Sequence, residues 1–240
     1  MKALKLTRLQ MVNLLYSLKG IHEENPISLL KYSVNDPTLN VLYHESVPNF
    51  IRRYERKKTK KEYGLSTNEI VDLGNLCELT SFKSTAIQNW IKRDIKELIG
   101  QPELGKKYSI DQAAILLIVR DLKSVYDFES IRSILTSLFN TLSDRSDDLI
   151  NPLKFYEAYA TILEKINDLN VSSIRYKRIE ENIEEEADSV RNTFPVLSDS
   201  QWEQVRGTLI LVVLAVLSSH IQRRAHLYFQ EQFPGKEETQ

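Results

Sequence analysis

One cysteine, Cys77, is present in 240 residues. A single thiol excludes an internal disulfide framework and an all-cysteine zinc site. Glycine and proline are scarce, with seven of each, well below the usual shares of about 7% and about 5%. Neither sign of charge dominates, since 32 Lys and Arg stand against 33 Asp and Glu. That balance excludes a uniformly basic or acidic chain but leaves room for local patches. Long apolar runs are missing as well. The longest, 209–217, holds nine residues, against the roughly 20 that span a bilayer. The first twenty residues are amphipathic and carry Lys2, Lys5, Arg8 and Lys19, unlike a secretory signal. The expected compartment is the cytoplasm, and no membrane association is expected.

What is present is a globular composition, 42% hydrophobic and 27% charged. Few turn-formers, with many Leu, Ile, Lys and Glu, predict a mainly α protein. Three regions are expected. Region 1–64 reads as short helices, with Leu6, Leu9, Val12, Leu15 and Tyr16 at helical spacing. Asn25-Pro26 and the Asn-Asp-Pro at 35–37 are turn signals, and Pro48 opens a helix. That helix is expected to run on through a basic stretch at 52–61, which holds seven bases and one acid. Region 65–142 has two capping boxes, Ser66/Glu69 and Ser109/Gln112. They predict helices over 67–78 and 110–126. A helix over 84–94, with Ile87, Trp90 and Ile91 inward, follows a short break. Residues 96–107 read as a non-helical connector, and Phe128 to Phe139 as a further helix face. Region 143–240 reads as a separate helical unit serving dimerisation or sensing, with a polar boundary at 143–148. Phe155, Tyr159, Ile162, Ile166 and Leu169 form a short heptad seam, 180–188 carries six acids and no base, and a long apolar helix begins at Trp202.

Two helices across a short break are a helix-turn-helix candidate. The second would expose Lys83, Ser84, Thr85, Gln88, Asn89, Lys92 and Arg93, with no acid over 83–93. Gln and Asn can bond adenine in two places, while Arg and Lys bond guanine or phosphate. The plainer reading is a solvated amphipathic helix in a bundle. Trp90 and Tyr108 read as packing residues, since aromatics at such spacing fill space. The run 52–61 could lie along a phosphate backbone or be a solvated helix face.

The stretch 70–138 resembles the MerR-type winged helix-turn-helix. Thr85-Ala86-Ile87-Gln88-Asn89-Trp90-Ile91-Lys92-Arg93 corresponds to its recognition helix, and Gly105-Lys106-Lys107-Tyr108-Ser109 to its wing tip. The pattern from Gln88-Asn89-Trp90 through Lys107-Tyr108-Ser109 is similar to a YkrK-like family of Bacillus-type proteins. The resemblance implies a small β wing at most, DNA contacts from Lys106 and Lys107 as well as from the recognition helix, and a homodimer. Gln88, Asn89, Trp90 and Ile91 stand where MerR proteins usually carry Arg-x-Tyr-Glu, so base preference does not carry over. The helical region after the wing is larger than in MerR proteins, so dimer geometry does not carry over either.

Other signals are weaker. Residues 100–107 match most of a Walker A loop, but Lys107 lacks the magnesium-binding hydroxyl, Pro102 removes an amide and Glu103 would repel phosphate. His22, His44, His220 and His226 form no metal-ligand spacing. Glu184, Glu185 and Glu186 read as solvated, and Asn170-Val171-Ser172 as an idle glycosylation sequon. No enzyme activity, cofactor or metal is expected. The expectation is a sequence-specific transcriptional regulator, a repressor, that binds double-stranded DNA as a homodimer, with no effector specified. The alternative is a helical protein–protein interaction module without DNA binding. There the apolar helix 209–217 would be the partner surface and 180–188 its charged rim.

Overall fold

The computed structural model describes residues 4–32, 47–56, 61–139, 148–167 and 178–233. The expectations at 35–37, His44, 57–60, 143–147, Leu169 and 170–172 lie outside them. Within them the chain is mainly helical, and pairing of β type is limited to isolated bridges.

Capping chemistry sets most helix starts. Thr7 and Gln10 form a capping box that opens α1 (Arg8–Lys19), which closes on Gly20 at φ 79°. Pro26, with fixed φ and no amide to satisfy, begins α2 (Pro26–Tyr32). Helix α3 (Asn49–Arg56) follows Pro48. The Ser66/Glu69 and Ser109/Gln112 boxes open α4 (Thr67–Gly74) and α7 (Ile110–Leu122) as the sequence predicts. Between them lie α5 (Ser84–Asn89), continued by a π-helical turn over Trp90–Asp94, and a single turn α6 (Lys96–Ile99). Asp127 caps α8 (Phe128–Thr136). The C-terminal part holds α9 (Pro152–Asn167), α10 (Ile179–Ser189) and α11 (Asp199–Gln232), the last opened by a Ser198/Gln201 box.

Several boundaries differ from expectation, and α11 begins at Asp199 rather than at Trp202. Helix α4 stops at Gly74 rather than at 78, because the chain leaves to pair with the N-terminus. Leu6 N–H donates to the Leu76 carbonyl at 2.7 Å, and Glu78 N–H donates to the Leu6 carbonyl at 2.9 Å. The connector 96–107 contains the turn α6, ended by Gly100 at φ 69°. Helix α7 ends at Leu122, where Ser124 turns its hydroxyl back onto the Asp121 carbonyl at 2.8 Å. Helix α8 ends at Thr136 and passes into a turn in which Leu138 and Phe139 amides bond the Leu135 carbonyl.

The core is built around α7 and α9. Helix α7 is buried nearly all round, from Ile110 to Leu122. The seam Phe155, Tyr159, Ile162 and Ile166 on α9 is buried too. Helix α9 packs against α1, α7, α10 and α11, and α11 also packs on α7. One hydrophobic cluster takes side chains from all of the described stretches, from Leu6 to Val216. Each fully buried Leu, Ile or Phe contributes roughly 1.5–3 kcal/mol before entropy is counted.

Helix α11 contains an 18-residue window of mean hydropathy 1.6, long and apolar enough to cross a membrane by length and composition. The nine-residue run understates it, because Gly207, Thr208, Ser218 and Ser219 interrupt the run without adding charge. Its Val205, Leu209, Val212, Val213 and Val216 are buried in the core, whereas Ile221, Tyr228, Phe229 and Phe233 beyond it are exposed.

A buried polar network ties this scaffold together. The Arg8 guanidinium grips Asp121 through Nε at 3.2 Å and Nη2 at 2.8 Å, and reaches Glu78 at 3.2 Å. Tyr159 donates to Asp121 at 3.0 Å. Burial opposes the charge on Arg8, but Asp121 more than restores it and holds the guanidinium well above its ordinary value. Cys77 lies 3.9 Å from the Tyr156 hydroxyl, and burial pushes its thiol up to about 11. It is a packing residue, since the reactive form is the thiolate.

Candidate nucleic-acid interface

Helices α4 and α5 are joined by a turn that is braced from both sides. The Asn75 side chain pairs with Phe82 twice: its Oδ1 accepts from the Phe82 amide at 2.6 Å, and its Nδ2 donates to the Phe82 carbonyl at 3.1 Å. Lys5 donates to the Asn75 carbonyl at 2.7 Å. Leu79 has φ 56°, the left-handed region, and its carbonyl accepts from Arg120 Nη2 at 2.6 Å. Gly74 is needed here, because a Cβ at that position would overlap the Phe82 ring.

Helix α5 is anchored by Ile87 and Ile91, both buried. Trp90 is half-buried and packs edge-on between Phe82 and Phe128, at 5.9 and 5.5 Å between ring centres. The packing role expected for it therefore holds. The opposite side carries Thr85, Gln88, Asn89 and Lys92 at helical spacing, all exposed, with Lys83 before them and Arg93, 74% exposed, after them. The Ile95 amide bonds the Trp90 carbonyl at 2.9 Å, which closes the π turn. Ser84 is half-buried and donates to Asn68 Oδ1 at 2.8 Å, which sets the start of α5 beside the start of α4.

Residues 100–109 form a short reversal. Leu104 and Lys107 bridge each other, and Tyr108 bridges Leu65 through amide–carbonyl bonds of 2.8 Å in both directions. Tyr108 packs against the core, as its spacing suggested. Lys106 is exposed at the tip. Lys107 turns inward. Its ammonium lies 3.1 Å from Glu69 Oε2 and 5.2 Å over the Tyr63 ring. Arg53, from the described start of the basic run, bonds the other oxygen of Glu69 at 2.7 Å, and Tyr63 donates to it at 3.0 Å. Burial works to raise the Glu69 carboxyl, but the bonds from Ser66, Lys107 and Tyr63 outweigh it and bring it down to about 2. The N-terminus of α4 is thus the meeting point of Arg53, Lys107 and, through Asn68, Ser84. Arg93 stands at the far end of the segment with its Nε 3.3 Å from Asp94 Oδ1, and the Asp94 carbonyl accepts from Arg132 at 2.7 Å.

The acidic stretch 180–188 is tied into the helical scaffold. Arg206 bonds Asp188 at 2.7 Å and lies 3.5 Å from Glu184, and Lys165 pairs with Glu186 at 2.9 Å.

One feature escaped sequence reasoning. A cleft of about 890 Å³ opens between the turn after α4, the inner side of α5, the end of α7 and the second half of α11. Lys5, Lys83, Arg120, Lys123 and Arg223 line it, together with Glu78. Of these only Lys83 belongs to the segment that sequence spacing marks as a site, because the others are scattered over some two hundred positions and share no spacing.

Comparison with known proteins gives a consistent placement. The family described as a domain of unknown function (DUF1836) matches residues 42–159. The uncharacterized protein YkrK of Bacillus subtilis (strain 168) is 57% identical over 226 residues, which is 94% of this chain and 97% of that protein. No solved structure matches the chain. With identity at that level over nearly the whole length of both chains, the protein belongs to the YkrK family.

Proposed function

We propose that the protein is a sequence-specific DNA-binding transcriptional regulator that acts as a repressor. In this reading α4, the turn and α5 make a MerR-like winged helix-turn-helix, with residues 100–109 as the wing. The observation that carries it is the exposed stripe of Thr85, Gln88, Asn89, Lys92 and Arg93, where the one neighbouring acid is Asp94, 3.3 Å from Arg93, on a helix whose other face is locked by Ile87 and Ile91. Gln88 and Asn89 can read base edges, while Lys83, Lys92, Arg93 and Lys106 serve phosphates. Ser84 and Lys107 hold the helix starts and the wing in place through Asn68 and Glu69. The exposed Ile221, Tyr228 and Phe229 on α11 suit a homodimer, which would present one α5 to each half of a palindromic site. A cytoplasmic location goes with this reading.

The test is binding to a mixed-sequence duplex across a salt series. Phosphate contacts from Lys83, Lys92, Arg93 and Lys106 would give a log–log slope of about −3.6 per protomer, at roughly −0.9 per neutralised phosphate. Arg93→Ala and Lys106→Ala should each flatten it by about 0.9 while leaving thermal unfolding unchanged. Unchanged affinity in both variants removes this site assignment. Absence of binding even at low salt removes the DNA reading altogether. It would leave a helical interaction module, for which the exposed apolar residues of α11 supply the surface.

A further inference from the structure

Five cationic side chains, Lys5, Lys83, Arg120, Lys123 and Arg223, face the cleft beside α5, and Glu78 is the one carboxylate among the lining groups. Glu78 is itself engaged by Arg8 at 3.2 Å and approached by His220 at 3.7 Å, so it does little to offset the cations. Gathering like charges around one concavity is unfavourable unless something negative sits among them. Lys5 and Arg120 are steadied by backbone carbonyls. Lys123 lies 5.0 Å over the Phe128 ring. Among the described residues, the Lys83 ammonium and the Arg223 guanidinium have neither a carboxylate nor a hydrogen-bond partner. The guanidiniums of Arg120 and Arg223 suit planar oxyanions, which they can grip with two parallel bonds.

The cleft also has an apolar side. Trp90 lines it, backed by Phe82 and Phe128, and Leu79 lies at its rim. Its volume falls in the range that holds a metabolite-sized molecule, roughly 300–1,000 Å³. Leu79 adds an independent sign of a built site. Among the described residues it is the one non-glycine with positive φ, at 56°. A left-handed leucine costs roughly 1–2 kcal/mol, and such strain concentrates at ligand sites.

We propose that this cleft binds a small organic anion, one bearing a phosphate or paired carboxylates next to a flat or apolar portion. The anionic end lies among Lys83, Arg120 and Arg223, and the apolar portion rests on Trp90. The site joins the turn before α5 to the second half of α11, so occupancy is felt at α5. That last consequence, unlike binding itself, rests on the DNA-binding reading.

The experiment uses the full chain without DNA. Pyrophosphate, citrate and adenosine monophosphate are titrated in at low salt, with calorimetry and tryptophan fluorescence as readouts. The wild type is expected to bind at least one of them with a Kd below about 1 mM, a threshold of roughly −4 kcal/mol. Arg223→Glu should weaken that binding by tenfold or more, by roughly the worth of a charge-assisted bond. Arg224→Glu, the next residue on α11 and outside the cleft, should leave it unchanged. No saturable binding of any probe overturns the proposal. So does equal weakening by both variants, which would show general charge attraction. A last arm adds duplex DNA. If Arg223→Glu lowers DNA affinity as much as probe affinity, and DNA displaces the probe, the cleft cations serve the DNA backbone and the small-ligand site is refuted. If the protein binds no DNA but Arg223→Glu still abolishes probe binding, the site stands and only its coupling to α5 falls.

Discussion

Asp121→Asn removes one charge from the centre of the scaffold while keeping the shape of the side chain. Arg8 is 3% exposed and Asp121 5%, so the pair is out of water. The guanidinium makes two bonds to the carboxylate, at 3.2 and 2.8 Å, and Tyr159 adds a third at 3.0 Å. After the substitution Arg8 keeps one charged partner, Glu78 at 3.2 Å, which is 31% exposed. Removing one member of a buried pair costs about 3–5 kcal/mol, because the other charge is left uncompensated. The residual attraction of Glu78 places the expected loss at the lower end, about 3 kcal/mol. For a chain of this size each kcal/mol moves the melting midpoint by roughly 2–4 °C, so a fall of about 10 °C is expected. Thermal unfolding by circular dichroism at neutral pH reads this directly. The double variant Arg8→Met with Asp121→Leu should recover most of the loss, since apolar replacement of a buried pair is often neutral or better. A loss under about 1 kcal/mol in Asp121→Asn would refute the reasoning, because that is the cost of a screened surface pair.

Two further substitutions probe the α4–α5 unit. The Glu69 carboxyl is lowered from 4.5 to about 2, so its contribution is complete above about pH 4.5 and is lost as pH falls toward 2. Its partners Arg53 and Lys107 are 60% and 45% exposed, and solvent screening brings the expected contribution to about 1–2 kcal/mol. Glu69→Gln should flatten the acid limb of a stability–pH profile over that window; an unchanged limb would show that other carboxyls set it. Gly74→Ala pits two effects against each other. Alanine favours a helix by up to about 1 kcal/mol, but the new Cβ overlaps Phe82, which is 6% exposed and stacked edge-on with Trp90. Overpacking of this kind costs about 1–3 kcal/mol, so a net loss in urea unfolding is expected, and a gain would show that Phe82 yields freely.

Local chemistry was legible and distant pairing was not. The capping boxes at Ser66 and Ser109 mark true helix starts because their partners lie three residues away. Ile87 and Ile91 show the inner face of α5, and Phe155 to Ile166 the buried seam of α9, because each needs only helical spacing. The end of α4 was misplaced because its cause is Leu6, some seventy residues upstream. The inward turn of Lys107 depends on where Glu69 is held, which no spacing reports. Asp121 offered a signal that went unused. It follows Leu117 and Ile118 at four and three residues, on the buried side of an apolar run, and a charge there demands a partner. Arg8, which answers it, sits next to the expected stripe of α1 and is itself buried.

The turn before α5 is positioned almost entirely from outside its own sequence. Leu6 pairs with Leu76 and Glu78, Lys5 holds the Asn75 carbonyl, Arg120 holds the carbonyl of left-handed Leu79, and Arg8 holds Glu78. These partners belong to the N-terminal segment, to α1 and to α7, and His220 on α11 approaches the same Glu78. Helix α5 itself is short, with six α-helical residues before its π turn and no side-chain cap, and a segment of that length has little stability of its own. Its orientation is therefore a property of the surrounding helices. Arg120 links this arrangement to the cleft. It faces the cleft and holds Leu79 against a backbone preference worth roughly 1–2 kcal/mol. Drawing the guanidinium away from that carbonyl would free the turn to relax, with no need to disturb the core beneath Ile87 and Ile91.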